Sequence, residues 1–333
     1  MKHKVIHVIL CSTVVLLALV AIQNPFSNQY VETVKLNASM MVEAVEDPLY
    51  EAILEHANKV NIPAINAKMD RVWKAMPGYN GLEVDVEKSY DKMKESGTFN
   101  QSMLIFKDAK PEVHLSDLDP APIYRGVSEK PMTAMLINVA WGNEYIPDML
   151  RTLRQHQVHA TFFLDGSWVK KNPQLAMMIK EEGHEIGSHA YSHPQMSKLS
   201  VEKIDEELEK TTDVIKATVD ETPKWFAPPS GDYNQLVVDR AHAHGMNTIM
   251  WTVDTIDWKK PEVHSMVNRV VPKMEAGSML LMHPTESSSQ GLDVMIKGIK
   301  EKNLLVGTVS ELMSENRLPR NMEVDINGGS SSD

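Results

Sequence analysis

The amino-acid sequence predicts an α/β protein: a parallel sheet with helical crossovers, preceded by a small α+β domain and an N-terminal membrane segment. Three observations predict this arrangement. From residue 132 onward, apolar segments of strand length alternate with segments of helical periodicity. Residues 28–116 contain both kinds of segment without regular alternation, and a long apolar run lies close to the N-terminus.

The first segment (1–27) is predicted to be a signal anchor or a signal peptide. The basic start MKHK precedes VIHVILCSTVVLLALVAI, an apolar run of about 18 residues, which is the length that crosses a bilayer. No small-x-small cleavage site follows, and Leu10 precedes Cys11 where a lipoprotein signal needs a small residue. The sequence therefore favours an uncleaved anchor in the cell membrane, with the rest of the chain on its extracytoplasmic face. A cleaved signal and secretion are the alternative.

Composition excludes two classes of function. With 45 acidic and 34 basic residues the net charge is −11, so no basic field attracts nucleic acid. Cys11 is the single cysteine, which rules out a disulfide framework and a cysteine-based zinc site. The hydrophobic fraction of 42% is ordinary for a chain with a globular core.

The chain is predicted to divide at a linker. The stretch DLDPAPIYRGVSEKP (117–131) is rich in turn residues and has no periodicity, so it separates the small domain (28–116) from a large one (132–318). The Gly- and Ser-rich end is predicted to be a flexible tail (319–333). In the small domain, helices are predicted over 46–60 and 85–96 and strands over 67–76 and 102–107.

The large domain is predicted to contain seven strands separated by helices, a pattern that indicates a parallel sheet. Closed into a ring, this sheet is a barrel one strand short of eight, and the competing interpretation is an open doubly wound sheet. The predicted strands are 132–141, 160–166, 184–190, 224–230, 247–254, 277–284 and 304–312. The predicted helices are 144–157, 173–183, 201–219, 234–245, 263–274 and 293–303.

Polar residues concentrate where these strands end, which is the end at which parallel α/β barrels form their sites. Such residues follow the third, fifth and sixth strands: His189 and His193, then Asp254, Asp257 and Trp258, then His283. The histidines on helices or at strand starts are interpreted as surface or packing residues: His156, His159, His184, His242 and His244.

Several segments of the large domain resemble the NodB-homology domain of the polysaccharide deacetylases. They are ATFFLDG (160–166), HEIGSHAYSHP (184–194), FAPPSGDYN (226–234), WTVDTIDW (251–258) and LLMHPT (280–285). NVAWGN and LMHPT are similar to the branch associated with endospore formation. The resemblance implies an incomplete (β/α)7 barrel. It also implies metal-dependent removal of acetyl groups from N-acetylated sugars, with a cell-wall or spore-cortex glycan as the partner.

The resemblance also assigns roles to the residues at the strand ends. In the family, one Asp and two His hold a divalent metal that activates water, and zinc is the metal that this ligand set favours. His189 and His193 match the two histidine ligands, and His283 matches the general acid. Asp254, Asp257 and Trp258 match the motif that walls the groove, with Asp257 supporting the catalytic charges and Asp254 and Trp258 contacting substrate.

The chain departs from the family where carboxylates are needed. An ungapped overlay puts Ala140 at the catalytic base and Trp141 at the aspartate ligand, and a second overlay puts Asn138 at the base. The family's Arg before the proline pair is Ala227, and the aromatic after it is Ser230. Loss of a general base costs about 100- to 10,000-fold in rate, and two neutral histidines hold a cation weakly.

Two other acids, Glu144 and Asp165, lie near strand ends and are candidate replacements. Each also has a simpler interpretation, because Glu144 can begin a helix and Asp165 can belong to a turn. Trp141, Trp251 and Trp258 are candidates for stacking on sugar rings. Two functions remain open at this point: a weak or altered envelope deacetylase, and a non-catalytic protein that binds glycan or a protein partner at the membrane.

Overall fold

A computed structural model of the chain describes residues 47–318. The predicted membrane segment (1–27), the start of the small domain and the predicted tail (319–333) lie outside these residues. Among the helices that are described, none combines the length and the apolar character that crossing a membrane requires.

Contacts within the chain group the described residues into two units. The smaller unit contains the residues up to Ile62 together with Leu82–Lys107, and the larger unit contains Pro63–Gly81 and the chain from Asp108 onward. The larger unit therefore includes residues 117–131, the segment that the sequence predicts as a linker. The domain limits given above remain predictions.

Within the described residues, the smaller unit contains two α-helices and most of a two-stranded sheet. Helix α1 (Pro48–Val60) is followed by β3 (Gly81–Val84), α2 (Val86–Met93) and β4 (Phe106–Ala109), and β3 pairs with β4. Ile53 and Met93 are fully buried in its core. The side chain of Asp47 caps α1 by accepting a hydrogen bond from the Leu49 amide at 2.8 Å.

The strand predicted over 67–76 is wrong, because this segment is a hairpin. Strands β1 (Lys68–Asp70) and β2 (Lys74–Met76) pair antiparallel. The side chain of Asp70 accepts hydrogen bonds from the amides of Val72 and Trp73, at 2.7 and 2.8 Å, and so closes the turn between them.

The sheet of the larger unit is a seven-stranded parallel half-barrel. Its order is β10-β11-β5-β6-β7-β8-β9, and β12 also pairs with β5. From β5 the chain proceeds through β6 to β9 in one direction, and β10 and β11 return to the other edge of β5. This cyclic order, open between β9 and β10, is that of an incomplete barrel and not that of a doubly wound sheet. The strands are β5 (Met132–Val139), β6 (Thr161–Leu164), β7 (Glu185–Ser188), β8 (Trp225–Phe226), β9 (Asn247–Thr248), β10 (Val253–Asp254), β11 (Met279–Met282) and β12 (Leu305–Gly307).

Eight α-helices accompany this sheet in the described part of the chain. They are α3 (Ile146–Gln155), α4 (Gly166–Lys171), α5 (Pro173–Glu181), α6 (Val201–Val219), α7 (Gln235–Ala243), α8 (Val263–Val270), α9 (Glu286–Lys300) and α10 (Val309–Met313). Six of them correspond to predicted helices and two, α4 and α10, do not. All eight residues of β5 are buried, as expected for a strand at the centre of a parallel sheet.

Three predicted elements differ in the structure. The strand predicted over 247–254 is split into β9 and β10, because the intervening Ile249 forms a bridge with Ile123. The helix predicted from residue 293 begins at Glu286, where the Thr285 hydroxyl accepts a hydrogen bond from the Ser288 amide. The strand predicted over 304–312 ends at Gly307, since Thr308 and Glu311 form a capping box that starts α10.

Candidate functional site

A cavity of about 470 Å³ lies at the carboxyl ends of the strands, and we call it the histidine cavity. Of the predicted site residues, nine line it and two, Asp257 and Ala227, contact a lining residue from behind. The lining residues are Asn138, Ala140, Trp141, His189, His193, Ser230, Trp251, Asp254, Trp258, Leu281 and His283. The structure thus places the strand-end residues together, and their chemical roles remain predictions.

His189 is held as a neutral ring at the end of β7. Its Nδ1–H donates to the backbone oxygen of Ala227 at 2.7 Å, which leaves Nε2 unprotonated. Burial, followed by the neighbouring His193, lowers the pKa of His189 to about 3. A neutral imidazole with one free nitrogen is the form in which histidine binds metals.

His193 reaches the cavity through a strained turn. Its backbone has a φ of 56°, and its ring lies edge-to-face with that of His189 at a centroid separation of 5.1 Å. The carboxylate of Glu207 on α6 fixes the preceding residues, since it accepts hydrogen bonds from the amides of Tyr191 and Ser192 at 2.8 Å each. No sequence pattern marks Glu207, because its partners lie 15 and 16 residues away.

Asp257 supports His283 from behind. Its buried carboxylate accepts hydrogen bonds from the His283 amide at 2.7 Å, from His283 Nδ1–H at 2.8 Å and from the hydroxyl of Ser288. Burial alone would raise the pKa of Asp257, but the hydrogen bonds and charge of His283 and the bond from Ser288 outweigh it and lower that pKa. Asp257 is therefore an anion that orients the His283 ring.

Asp254 and Trp258 belong to a tight turn after β10. Asp254 Oδ1 accepts a hydrogen bond from the Ile256 amide at 2.7 Å, and Ile256 and Lys260 both have left-handed backbones with φ near 50°. This turn projects Trp258 outward, where it remains 55% exposed. An exposed tryptophan on a cavity wall is suited to stacking on a flat apolar face.

Three non-acidic residues lie at the positions where the resemblance predicts carboxylates. Asn138 is buried and its Oδ1 has no hydrogen-bond partner, Ala140 has no polar group, and Trp141 is 45% exposed. No group of three His, Cys, Asp or Glu residues within 47–318 is arranged to hold a metal. The residues present therefore do not fit a three-ligand zinc site.

Neither candidate replacement acid lines the histidine cavity. Asp165 caps α4, accepting hydrogen bonds from the Trp168 amide at 2.8 Å and the Ser167 hydroxyl at 2.7 Å. Burial raises the pKa of Asp165. Glu144 is exposed and lines a second, neighbouring cavity of about 720 Å³. The carboxylate of Asp165 is held by the cap of α4, although it lies close enough to His193 for the charge of that ring to act on its pKa.

Two further residues that shape the site, besides Glu207, carry no sequence signal. Leu281 is an ordinary strand residue whose position alone brings it to the cavity wall. Ser288 is not recognisable as a site residue from the sequence, because the helix predicted over 293–303 begins after it. The early start of α9 is what brings its hydroxyl to Asp257.

Comparison with known proteins agrees with this architecture. A family model described as polysaccharide deacetylase matches residues 125–249. Wild-type BA3943, described as a CE4 family pseudoenzyme from Bacillus anthracis, is 49% identical with a TM-score of 0.74, and the match covers 82% of this chain and 97% of that one. The chain belongs to the polysaccharide deacetylase family, also called CE4. Its fold is that of this family.

Two further relatives differ in how similar they are to this chain. The uncharacterized protein YlxY of Bacillus subtilis is 50% identical over 296 residues, which cover 89% of this chain and 92% of YlxY. A peptidoglycan-N-acetylglucosamine deacetylase of Bacillus cereus is 31% identical over 179 residues, which cover 52% of this chain and 65% of the enzyme. A mutant of BA3943 is described as having restored enzymatic activity.

Proposed function

We propose that this chain is a non-catalytic member of the polysaccharide deacetylase family that binds peptidoglycan-type glycan. The observation that carries the proposal is the composition of the histidine cavity. Asn138, Ala140 and Trp141 stand where the family's base and aspartate ligand are expected, and neither Glu144 nor Asp165 lines the cavity. The high similarity to a protein described as a pseudoenzyme supports the same conclusion.

The chemistry of hydrolysis fails at its first step in such a cavity. An amide such as that of Asn138 does not take a proton from water at neutral pH, and removal of a general base costs about 100- to 10,000-fold in rate. Two neutral histidines also supply no negative charge to balance a divalent cation. Ala227 in place of the family's Arg is consistent with this loss, since there is no base carboxylate for an Arg to hold.

Glycan binding requires features that the cavity does contain. Trp141, Trp251 and Trp258 line it, and Trp141 and Trp258 remain about half exposed. Aromatic rings of this kind stack on the apolar faces of sugar rings. Relatives from Bacillus cereus and Listeria monocytogenes are described as peptidoglycan-N-acetylglucosamine deacetylases, although this chain covers only 36% of the Listeria protein. These relatives support a peptidoglycan ligand.

The proposal includes a location. An N-terminal segment that anchors the chain in the cell membrane, with the large unit on the extracytoplasmic face, would place the cavity next to cell-wall or spore-cortex glycan. Secretion after cleavage of that segment is the alternative. The link to spore formation rests on the resemblance of NVAWGN and LMHPT to the sporulation-associated branch.

A second candidate function is weak deacetylation with a divalent metal, most suitably zinc. His189 and His193 are retained in one cavity, and the Asp257–His283 pair is intact at 2.8 Å. These residues are the reason why weak deacetylation is tested alongside glycan binding. The missing carboxylates favour the binding function.

Calorimetry on the full chain in detergent separates the two functions. We expect tetramers of N-acetylglucosamine and peptidoglycan glycan strands without stem peptides to bind with saturable heat. Both ligands should be recovered with all their acetyl groups. Absence of binding to both ligands would overturn the proposal. Acetate release that stops in His189→Ala would establish the weak hydrolase instead.

A further inference from the structure

The second cavity adjoins the histidine cavity, and we call it the tryptophan cavity. The two share Trp141 and Trp258 in their walls. The tryptophan cavity has a volume of about 720 Å³, larger than that of its neighbour. Its remaining walls come from the loop before α3, the segment before α8 and the start of α9.

Its walls are fixed by backbone contacts. Gly142 has a φ of 84° and packs so closely that an added Cβ would lie 1.9 Å from the Pro284 oxygen. The Tyr145 amide donates to the Gly142 oxygen at 3.0 Å. On the opposite side, the Ser287 hydroxyl donates to the Pro261 oxygen at 2.7 Å. The cavity is therefore a built feature of this fold.

The aromatic walls are suited to a ligand that is both flat and cationic. Trp141, Tyr145 and Trp258 all line the tryptophan cavity. The Trp258 ring already attracts an ammonium, because Lys259 Nζ lies 4.8 Å from its centroid. Lys259 is not among the lining residues, so its ammonium does not form part of the cavity wall. Tryptophan is the aromatic side chain that binds cations most strongly.

Charged groups on the rim select the same chemistry. Four acidic residues line the cavity, Glu144, Asp257, Glu262 and Glu286, and Lys260 is the single basic residue among the lining residues. The carboxylate of Asp257 is buried and already accepts hydrogen bonds from His283 and Ser288. Glu262 caps α8 through the amides of His264 and Ser265 and is thereby fixed in place. Glu144 and Glu286 are exposed. The three glutamate carboxylates against one lysine favour a positively charged ligand over a neutral or anionic one.

We propose that the tryptophan cavity binds the ammonium group and ring of a 2-amino sugar, the de-N-acetylated unit of a glycan chain. This inference rests on the proposed glycan-binding function and names the sugar that the site selects. Because the two cavities share Trp141 and Trp258, a glycan that occupies the histidine cavity would place a neighbouring sugar in the tryptophan cavity. The protein then distinguishes glycan that a deacetylase has already processed from glycan that is fully acetylated.

Calorimetric titration of the full chain in detergent tests the inference. The probes are tetramers of glucosamine and of N-acetylglucosamine at pH 6, where the amines are protonated. We expect the glucosamine tetramer to bind about tenfold more tightly, with the preference weakened by added salt. In the double variant Glu144→Gln/Glu286→Gln the two tetramers should bind with about equal affinity. Glu301→Gln, an exposed charge change at the far end of α9, is the matched control and should retain it.

The outcomes separate this inference from the function on which it rests. Equal binding of the two tetramers overturns the amino-sugar preference and leaves glycan binding in place. A preference that persists unchanged in the double variant overturns the assignment to the tryptophan cavity. If neither tetramer gives heat of binding, both the inference and the proposed function are overturned.

Discussion

The indole of Trp141 lies parallel to the imidazole of His283, with ring centroids 5.9 Å apart and an interplanar angle of 9°. On the ungapped family overlay Trp141 stands at the aspartate metal ligand. The overlay therefore predicts an aromatic ring in place of a carboxylate. The stack itself covers one face of His283, the residue matched to the general acid.

The Gly142→Ala variant tests whether this stack shapes the binding surface. An added Cβ would clash with the Pro284 oxygen at 1.9 Å, so the loop that carries Trp141 must move. We expect a loss of about 1–3 kcal/mol in unfolding free energy and weaker binding of N-acetylglucosamine tetramer. Gly245→Ala is the matched control, since Gly245 has a similar φ of 76° but nothing within 4 Å of an added Cβ. Equal effects of the two variants would show that backbone strain, and not the loop position, is responsible.

The Trp258→Ala variant tests stacking on sugar directly. Trp258 is 55% exposed, so its removal should leave thermal stability nearly unchanged. We expect about a tenfold loss in affinity for glycan tetramers measured by calorimetry. Val294→Ala, an exposed apolar truncation on α9, should change neither quantity. Unaltered affinity in Trp258→Ala would remove this residue from the binding surface.

The Asp257→Asn variant tests the role of the buried anion. Asparagine cannot accept all the hydrogen bonds that His283 and Ser288 donate, so we expect a loss of about 2 kcal/mol or more in unfolding free energy at pH 7. The pKa of Asp257 is lower in the folded chain than its ordinary value of 3.8, so the ionised carboxylate stabilises the fold at pH values above 3.8. That stabilisation is lost as pH falls from 3.8 through the lower folded pKa. Urea denaturation from pH 7 to 3 should therefore show the variant and wild type converging, and parallel curves would contradict this account.

His184 predicts a second, separate loss of stability in acid. This buried ring accepts a hydrogen bond from the Ala160 amide, and burial, followed by the charge of His159, lowers its pKa from 6.5 to about 4. The unfolded chain then binds more protons than the folded one between pH 6.5 and 4, so stability falls across this range as pH is lowered. At about 1.4 kcal/mol per pKa unit the full loss is about 3 kcal/mol. In His184→Phe the loss over this range should be smaller by that amount, and an unchanged pH profile would contradict the assignment.

The strand-end residues of the site could be predicted from the sequence because alternation and apolar runs fix where parallel strands end. His189, His193, Asp254, Trp258 and His283 all line the cavity that this pattern predicts. The position of each follows from its own strand, with no knowledge of its neighbours.

The supporting contacts could not be predicted because they join residues far apart in the chain. The stack of Trp141 on His283 and the bond from His189 to Ala227 depend on how separate strands meet. The same holds for Ser288, which reaches Asp257 only because the cap at Thr285 starts α9 early. The split of the strand over 247–254 likewise depends on Ile123, which is distant in sequence.

The most direct test of the central claim is the rate of acetate release from N-acetylglucosamine tetramer by the full chain in excess zinc. The claim is that a cavity with Asn138, Ala140 and Trp141 at the positions expected for the base and the aspartate ligand leaves the protein non-catalytic. The account predicts that wild type and His189→Ala release acetate at the same rate, equal to that of buffer with zinc, while wild type still binds the tetramer. A wild-type rate that exceeds buffer and is lost in His189→Ala would contradict it.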